Sequence, residues 1–107
     1  MSKRMTFAMY VPKSGKDEAL MEIVNTHVTT LRQYGLVTDR DNYISKSSEG
    51  VIIEVFEWVS EEAKNAAHEH PAIAQIWERM TPLCEFGQMK HLREANMPFP
   101  NFTCIHE

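Results

Sequence analysis

Cysteine is scarce in this sequence of 107 residues, and glycine forms none of the familiar nucleotide-binding motifs. The two cysteines, Cys84 and Cys104, lie in different segments and form no C-x-x-C pair. Secreted disulfide scaffolds carry more cysteines, so we interpret both as reduced thiols and expect a cytoplasmic protein. The four glycines form neither a phosphate-binding loop nor a dinucleotide fingerprint, and no nucleophile elbow is present.

Long apolar runs and clusters of positive charge are also missing. No run approaches the roughly 20 apolar residues that span a bilayer, so we expect no membrane insertion. Residues 1–4 include two basic residues but precede no apolar h-region, so we expect no export signal. The net charge is -4 and the basic residues are scattered, whereas nucleic acids favour clustered Lys and Arg. Nucleic acid is therefore excluded as an expected partner.

Length and composition are those of one folded domain. Apolar residues make up 43% and charged residues 24% of the sequence, within the range of globular proteins. We predict a single domain over 1–107, with its core in 5–92 and an irregular C-terminal tail in 93–107. A chain this short has a small core, so burial against a partner subunit would add to its stability.

Apolar periodicity and capping signals predict the following order of elements. They are a strand over Met5–Val11, a helix with Ser14 as its N-cap, a polar edge strand over Val37–Lys46, a strong strand over Val51–Val59, a helix with Ser60 as its N-cap and a break at His70–Pro71, and a last strand over Glu85–Leu92. This order predicts an α+β fold, ferredoxin-like βαββαβ, with a four-stranded antiparallel sheet and two helices on one face.

Both faces of the predicted central strands are apolar. Phe7, Met9 and Val11 alternate with Ala8 and Tyr10 in the first strand, and the strand over Val51–Val59 is apolar on both sides as well. Helices of one protomer cover only one face, so a second copy is the economical cover for the other. We therefore predict a homodimer that pairs through its sheet, with the tail available to lie across the partner.

Three histidines are candidates for a functional site. His27 lies within or beside the apolar stripe of the first helix, where an imidazole between helix and sheet can act as a general acid or base, although such histidines are more often structural. His68 and His70 flank Glu69 before Pro71. Metal-binding histidines on a helix normally lie four apart, and no third ligand is evident, so we predict no metal site. The alternative is that one of this pair caps the helix break while the other is solvated.

One carboxylate and two indoles complete the candidate set. Glu54 shares a strand face with Ile52, Phe56 and Trp58, and a buried carboxylate is costly unless it is paired. Glu54 either pairs with an Arg or Lys across the dimer or serves as a base in a pocket. Trp58 and Trp77 are interpreted as core or interface anchors, with ligand contact as the functional alternative.

With these residues in place, the chain resembles the dimeric α+β barrel superfamily, near the antibiotic-biosynthesis-monooxygenase-like proteins. The likeness covers residues 5–92 and is carried by VIIEVFEWVSEEA (Val51–Ala63) and AAHEHPAIAQIWERM (Ala66–Met80). The resemblance implies a ferredoxin-like protomer, a sheet-to-sheet dimer and a pocket between sheet and helices. Haem-degrading members use an Asn on the first strand, which MTFAMYV lacks, and Trp58 ends a strand instead of lying on a helix. This departure argues against haem.

Two functional hypotheses follow. The first is a cofactor-independent monooxygenase acting on a partly apolar organic substrate, with His27 and His68 as catalytic residues. Its substrate-binding residues would be Trp58, Trp77, His70 and Glu54, and it would need no cofactor and no metal. The second is a non-catalytic homodimer that binds a metabolite in the same groove or has a structural role. An open cavity of about 300 Å³ or more beside these residues would favour a ligand-binding site.

Overall fold

The computed structural model describes residues 2–105 and forms an α+β architecture. Its elements are β1 (Arg4–Pro12), α1 (Asp17–Gln33), β2 (Tyr43–Lys46), β3 (Ile52–Trp58), α2 (Glu61–Glu69), α3 (Pro71–Met80), β4 (Cys84–Phe86) and β5 (Thr103–Cys104), with short 3-10 helices over Met89–His91 and Arg93–Asn96. Within residues 2–105 these are three α-helices and one five-stranded sheet. No helix in this range is long and apolar enough to cross a bilayer.

The sheet is antiparallel throughout and has the strand order β4-β1-β3-β2-β5. The prediction of four strands was wrong because the tail contributes β5, which pairs with β2. The strand predicted over Val37–Lys46 is therefore not at the edge, and only Tyr43–Lys46 is regular, while Val37 forms an isolated bridge to Trp58. The predicted strand over Glu85–Leu92 is replaced by the short β4 and a 3-10 helix.

Local capping signals predicted one helix start and one helix break correctly. The Ser60 side chain accepts a hydrogen bond from the Ala63 N–H at the start of α2. The helix ends at Glu69 and α3 begins at Pro71, since proline has no N–H to donate and fits the first position of a helix. Ser14 does not cap α1, whose N-cap is Lys16 without a side-chain bond. A turn with Gly15 at φ 73° separates Ser14 from the helix.

The face of the sheet that carries Ala8, Tyr10, Glu54 and Phe56, here called the inner face, packs against the helices. One cluster joins Tyr10 to α1 and α3, and the other joins Phe56 to α1, α2 and α3. Cys84, one of the two free thiols, is buried in the first cluster, while Cys104 is exposed on β5. All three helices therefore pack on the inner face of the sheet.

The opposite face of the sheet, here called the outer face, is partly covered by the chain's own C-terminal segment. Leu92 is buried with Met9, Val51 and Ile53, and Phe102 packs against the same cluster. The Ser48 N–H donates to Glu94 Oε2 at 2.9 Å, which ties this segment to the β2–β3 turn. Part of the tail thus packs on its own sheet, and its lying across a partner stays a prediction. The last two positions of the tail lie outside the described residues, as does Met1.

Candidate functional site

A cavity of about 380 Å³ lies between the inner face and the helices. Its walls come from four kinds of position: the inner faces of β1 and β3, the buried side of α1, the sheet-facing sides of α2 and α3, and the end of β4. The lining residues are Thr6, Ala8, Tyr10, His27, Phe56, Trp58, Lys64, His68, Trp77 and Phe86. The chain has two tryptophans, and both line this cavity. We call it the sheet–helix pocket.

Solvent exposure distinguishes the floor of the pocket from its mouth. Tyr10, His27 and Trp58 are buried, so they form the floor. Phe86 is 54% exposed, and His68 is exposed as well, so these side chains lie where the pocket meets solvent. A ligand would therefore enter past α2 and β4 and place its far end against β1, β3 and α1.

Glu54 is fully buried behind this floor and is the centre of a hydrogen-bonded chain. Its Oε1 accepts from the Tyr10 hydroxyl at 2.9 Å and lies 2.8 Å from His27 Nδ1. The antiparallel register places Glu54 opposite Ala8 on β1, and the small Ala8 side chain leaves space beside the carboxylate. The expected partner is thus neither a lysine nor an arginine of a second copy but two polar side chains of the same chain.

Trp77 decides which ring nitrogen of His27 carries a proton. An indole N–H can only donate, and Trp77 Nε1 lies 3.0 Å from His27 Nε2, so Nε2 accepts. The neutral imidazole then has its proton on Nδ1, which donates to Glu54. A second proton on Nε2 would break the Trp77 bond, so His27 can act as a base only when the indole moves away.

The Tyr10 hydroxyl is held in its protonated form. Burial, followed by the adjacent Glu54 carboxylate, raises the pKa of Tyr10 well above its ordinary value. Tyr10 therefore remains a donor to Glu54 at any physiological pH. The second carboxylate oxygen, Glu54 Oε2, is buried and has no hydrogen-bond partner among residues 2–105. An unpaired buried oxygen costs stability.

The remaining polar atoms of the pocket fall into two groups. Trp58 Nε1 donates to Thr6 Oγ1 at 2.7 Å, so this indole is also fully hydrogen-bonded. His68 packs its ring against Trp77 at a centroid distance of 5.1 Å, and its nitrogens form no hydrogen bond within the described chain. Lys64 is the only lysine or arginine among the described residues of the lining, and its Nζ lies 3.9 Å from Glu61 Oε1. The polar groups that remain free to bind a ligand, those of His68 and Lys64, therefore lie mainly at the mouth.

The structure brings most of the predicted site residues together but excludes one. His27, Trp58, His68 and Trp77 line the same pocket, with Glu54 directly behind His27. His70 does not reach it: its Nδ1 accepts from the Ala72 N–H at the start of α3, and its ring packs on Tyr34. This is the capping role that was considered for one histidine of the pair, and the helix break explains it.

Several lining residues were missed in the sequence. Tyr10 alternates with Ala8 on the same side of β1, so its inner-face position was visible, but its bond to Glu54 spans 44 residues. Lys64 lies four positions before His68, which places both on one side of α2, and this spacing was the available signal. Thr6 and Phe86 carried no signal beyond strand alternation.

A second cavity of about 540 Å³ lies between the tail and β2 and is more polar. Lys46, Ser48, Arg93 and Glu94 contribute to its walls, and the Ser48–Glu94 bond crosses it. The backbone hydrogen bond from Ser48 lowers the pKa of Glu94. The Ser48–Glu94 hydrogen bond links the tail to the β2–β3 turn, and the cavity contains none of the predicted site residues. Across residues 2–105, no group of three or more His, Cys, Asp or Glu is arranged to hold a metal ion.

Comparison with known proteins adds no relative. The sequence matches no protein-family model, and no curated protein matches it at significant similarity.

Proposed function

We propose that this protein is a homodimeric member of the dimeric α+β barrel superfamily that binds a small, partly apolar organic molecule in the sheet–helix pocket. The observation that carries the proposal is the pocket itself. Its volume of about 380 Å³ falls within the range of roughly 300–1,000 Å³ typical of ligand sites. Its lining is aromatic, with few polar groups, which is the usual composition of such sites.

The sheet topology supports the membership. Strands β4-β1-β3-β2 have the order expected of a ferredoxin-like protomer, with helices after β1 and after β3. The break at Pro71 divides the second helix into α2 and α3, and β5 is an addition from the tail. These features agree with the fold that the resemblance implies.

An open strip of the outer face supports the homodimer. Phe7, Val55 and Tyr43 are neighbours across β1, β3 and β2, and Phe7 is 43% exposed while Tyr43 is 64% exposed. The tail covers the Met9 end of this face and leaves the strip bare. A second sheet placed over the strip would remove this apolar surface from water.

Sedimentation equilibrium with Phe7→Ser should then show a weakened dimer.

A pocket-filling substitution tests the ligand proposal. In Ala8→Leu, a larger side chain on β1 enters the pocket, so we expect binding of 2-naphthol, a neutral aromatic probe, to be lost in calorimetry. Ala66→Leu adds the same atoms on an exposed position of α2 and should bind like the parent protein. Equal binding by all three proteins, or none by the parent across apolar aromatic probes, would reject the pocket as a ligand site.

A second candidate is cofactor-independent oxygenation, which the His27–Glu54 pair favours. A carboxylate that accepts a hydrogen bond from an imidazole holds the ring in the orientation in which it can act as a base, and Glu54 is placed to do this for His27. An activated methylene group of the substrate would give one proton to His27 Nε2, and the carbanion would bond dioxygen. Protonation gives a hydroperoxide, and loss of water from it gives a ketone. One methylene group and one dioxygen molecule thus become one carbonyl group and one water molecule. The substrate is oxidised and dioxygen is reduced, so no further redox partner is needed.

Oxygen consumption with anthrone, a compound with an activated methylene group, tests this candidate. We expect His27→Gln to abolish protein-dependent oxygen uptake, while His70→Gln, outside the pocket, leaves it unchanged. Loss of the indole N–H in Trp77→Phe should free Nε2 and raise the rate at low substrate concentration. If 2-naphthol binds but anthrone turnover does not depend on His27, the protein is a binding module and this second candidate is rejected.

A further inference from the structure

We infer that the pocket ligand is an aromatic anion whose negatively charged oxygens are bound by Lys64 and His68 at the mouth. This inference rests on the proposed small-molecule function of the same pocket and names the chemical class of its ligand.

The floor of the pocket has almost no free hydrogen-bond donor to offer a polar group of a ligand. The Tyr10 hydroxyl is bonded to Glu54, both ring nitrogens of His27 are bonded, and so are both indole N–H groups. Among the floor and wall residues, only the Thr6 hydroxyl hydrogen is not used by these bonds. Burying a polar group without a hydrogen bond costs roughly 1–3 kcal/mol or more, so an anionic group of the ligand is disfavoured at the floor and an apolar end is favoured there.

The walls favour a planar apolar end. Phe56 lies edge-on to Trp58 at a centroid distance of 5.2 Å, and His68 is tilted against Trp77 at 5.1 Å. Aromatic rings associate with such walls through offset and edge-to-face contacts, which add to the effect of apolar burial. An aromatic ring system therefore fits the floor better than a flexible aliphatic chain, which would also lose more conformational entropy.

The mouth offers a positive charge that nothing else in the pocket neutralises. Lys64 Nζ lies 3.9 Å from Glu61 Oε1, and the Glu61 side chain is 60% exposed, so solvent weakens this pair. Glu54 is engaged with Tyr10 and His27 behind the floor. His68, one helical turn after Lys64, can donate from a ring nitrogen to the same group. The chain as a whole has a charge of -4, so attraction of an anion is a local property of this mouth.

Three naphthalene probes of similar shape separate charge from apolar binding. We expect 2-naphthoate to bind the parent protein about tenfold more tightly than neutral 2-naphthamide, since hydrogen bonds to charged groups are the stronger ones. The cationic 2-naphthylmethylamine should bind most weakly. Calorimetry at pH 8 and low salt measures all three, and added salt should reduce the advantage of naphthoate.

Lys64 substitutions assign the preference to this residue. Lys64→Met keeps the aliphatic stem and should bind naphthoate and naphthamide equally, whereas Lys64→Arg should keep the preference. Lys90→Met removes an exposed lysine that does not line the pocket and should behave like the parent. Equal binding of naphthoate and naphthamide by the parent overturns the inference but leaves the ligand proposal intact. A preference that survives Lys64→Met also overturns it. Binding of no probe overturns both.

Discussion

The two faces of this sheet bury their apolar side chains in different ways. Helices α1, α2 and α3 cover the inner face and leave a cavity with the buried His27 in its floor and the buried Glu54 behind His27. The outer face is covered by a segment of tail, and its buried cluster of Met9, Val51, Ile53 and Leu92 is apolar. The inner face therefore carries the aromatic pocket and the buried His27–Glu54 pair, whereas the more polar cavity between the tail and β2 contains none of the predicted site residues.

The largest expected effect is the loss of Glu54, which would test the polar organisation of the inner face. Glu54→Ala leaves the Tyr10 hydroxyl and the His27 Nδ1–H unpaired in the core, and breaking such buried pairs costs about 3–5 kcal/mol of unfolding free energy. Denaturant titration measures the change. Glu57→Gln, on the same strand but on the outer side, should lose less than about 1 kcal/mol. Similar small losses for both variants would contradict the importance of the buried chain.

The next effect tests the outer cover. Leu92→Ala removes the buried anchor of the tail and should lower the unfolding free energy by about 2–4 kcal/mol. Detachment of the segment would also expose Met9 and Ile53, so self-association should increase in sedimentation velocity. Phe99→Ala in the same tail is a matched control, because Phe99 is 86% exposed and should matter little. An unchanged stability in Leu92→Ala would mean that the tail does not hold the outer face.

A smaller effect concerns the inner face at alkaline pH. Burial raises the pKa of folded Tyr10 well above its ordinary value of 10.0, so the unfolded chain loses this proton first as pH rises. Stability is therefore complete below the ordinary value and falls between it and the folded pKa. Tyr10→Phe should therefore lose less unfolding free energy than the parent as pH rises. At neutral pH the substitution should lower the unfolding free energy by about 1 kcal/mol. Tyr43→Phe, exposed on β2, should reproduce the parent's pH profile.

The smallest effect concerns the outer cover at acid pH. The Ser48 N–H lowers the pKa of folded Glu94, so this contact contributes stability above the ordinary carboxyl range. The contribution disappears as pH falls through the folded pKa, because the carboxylate is then protonated in both states. The difference in unfolding free energy between the parent and Glu94→Gln should therefore shrink on acidification. A difference that stays constant with pH would show that the charge of Glu94 does not contribute to stability. Glu49→Gln, in the β2–β3 turn that contains Ser48, serves as the control.

Local signals predicted much of the fold but less of the site. The strand around Ile52–Trp58, the Ser60 cap and the break at Pro71 follow from side-chain alternation and from the chemistry of single residues. The tail strand β5 was not predictable, because Thr103–Cys104 is a strand only by pairing with β2. The same holds for the short β4, whose length depends on how far it can follow β1 before Gly87.

The candidate residues were recognised singly, but their partners were not. A carboxylate on an apolar strand face predicts that some partner must exist, and Glu54 has two. Neither Tyr10 nor His27 could be named as that partner, because strand register and helix rotation decide which side chains meet. For the same reason His70 was placed in the site with His68, although its position beside Pro71 turns it to the helix start.

The sequence by itself determined the α+β class, the apolar character of both sheet faces, the helix break and the need for a partner at Glu54. These properties depend on residue type and on spacing along a few turns or strands, where geometry is set by the local backbone. Only the tertiary structure decided that the tail covers the outer face, that Trp77 sets the tautomer of His27 and that Lys64 is the charged group at the pocket mouth. Such contacts join residues far apart in the sequence, 50 positions in the case of Trp77 and His27, and their formation depends on how whole elements pack.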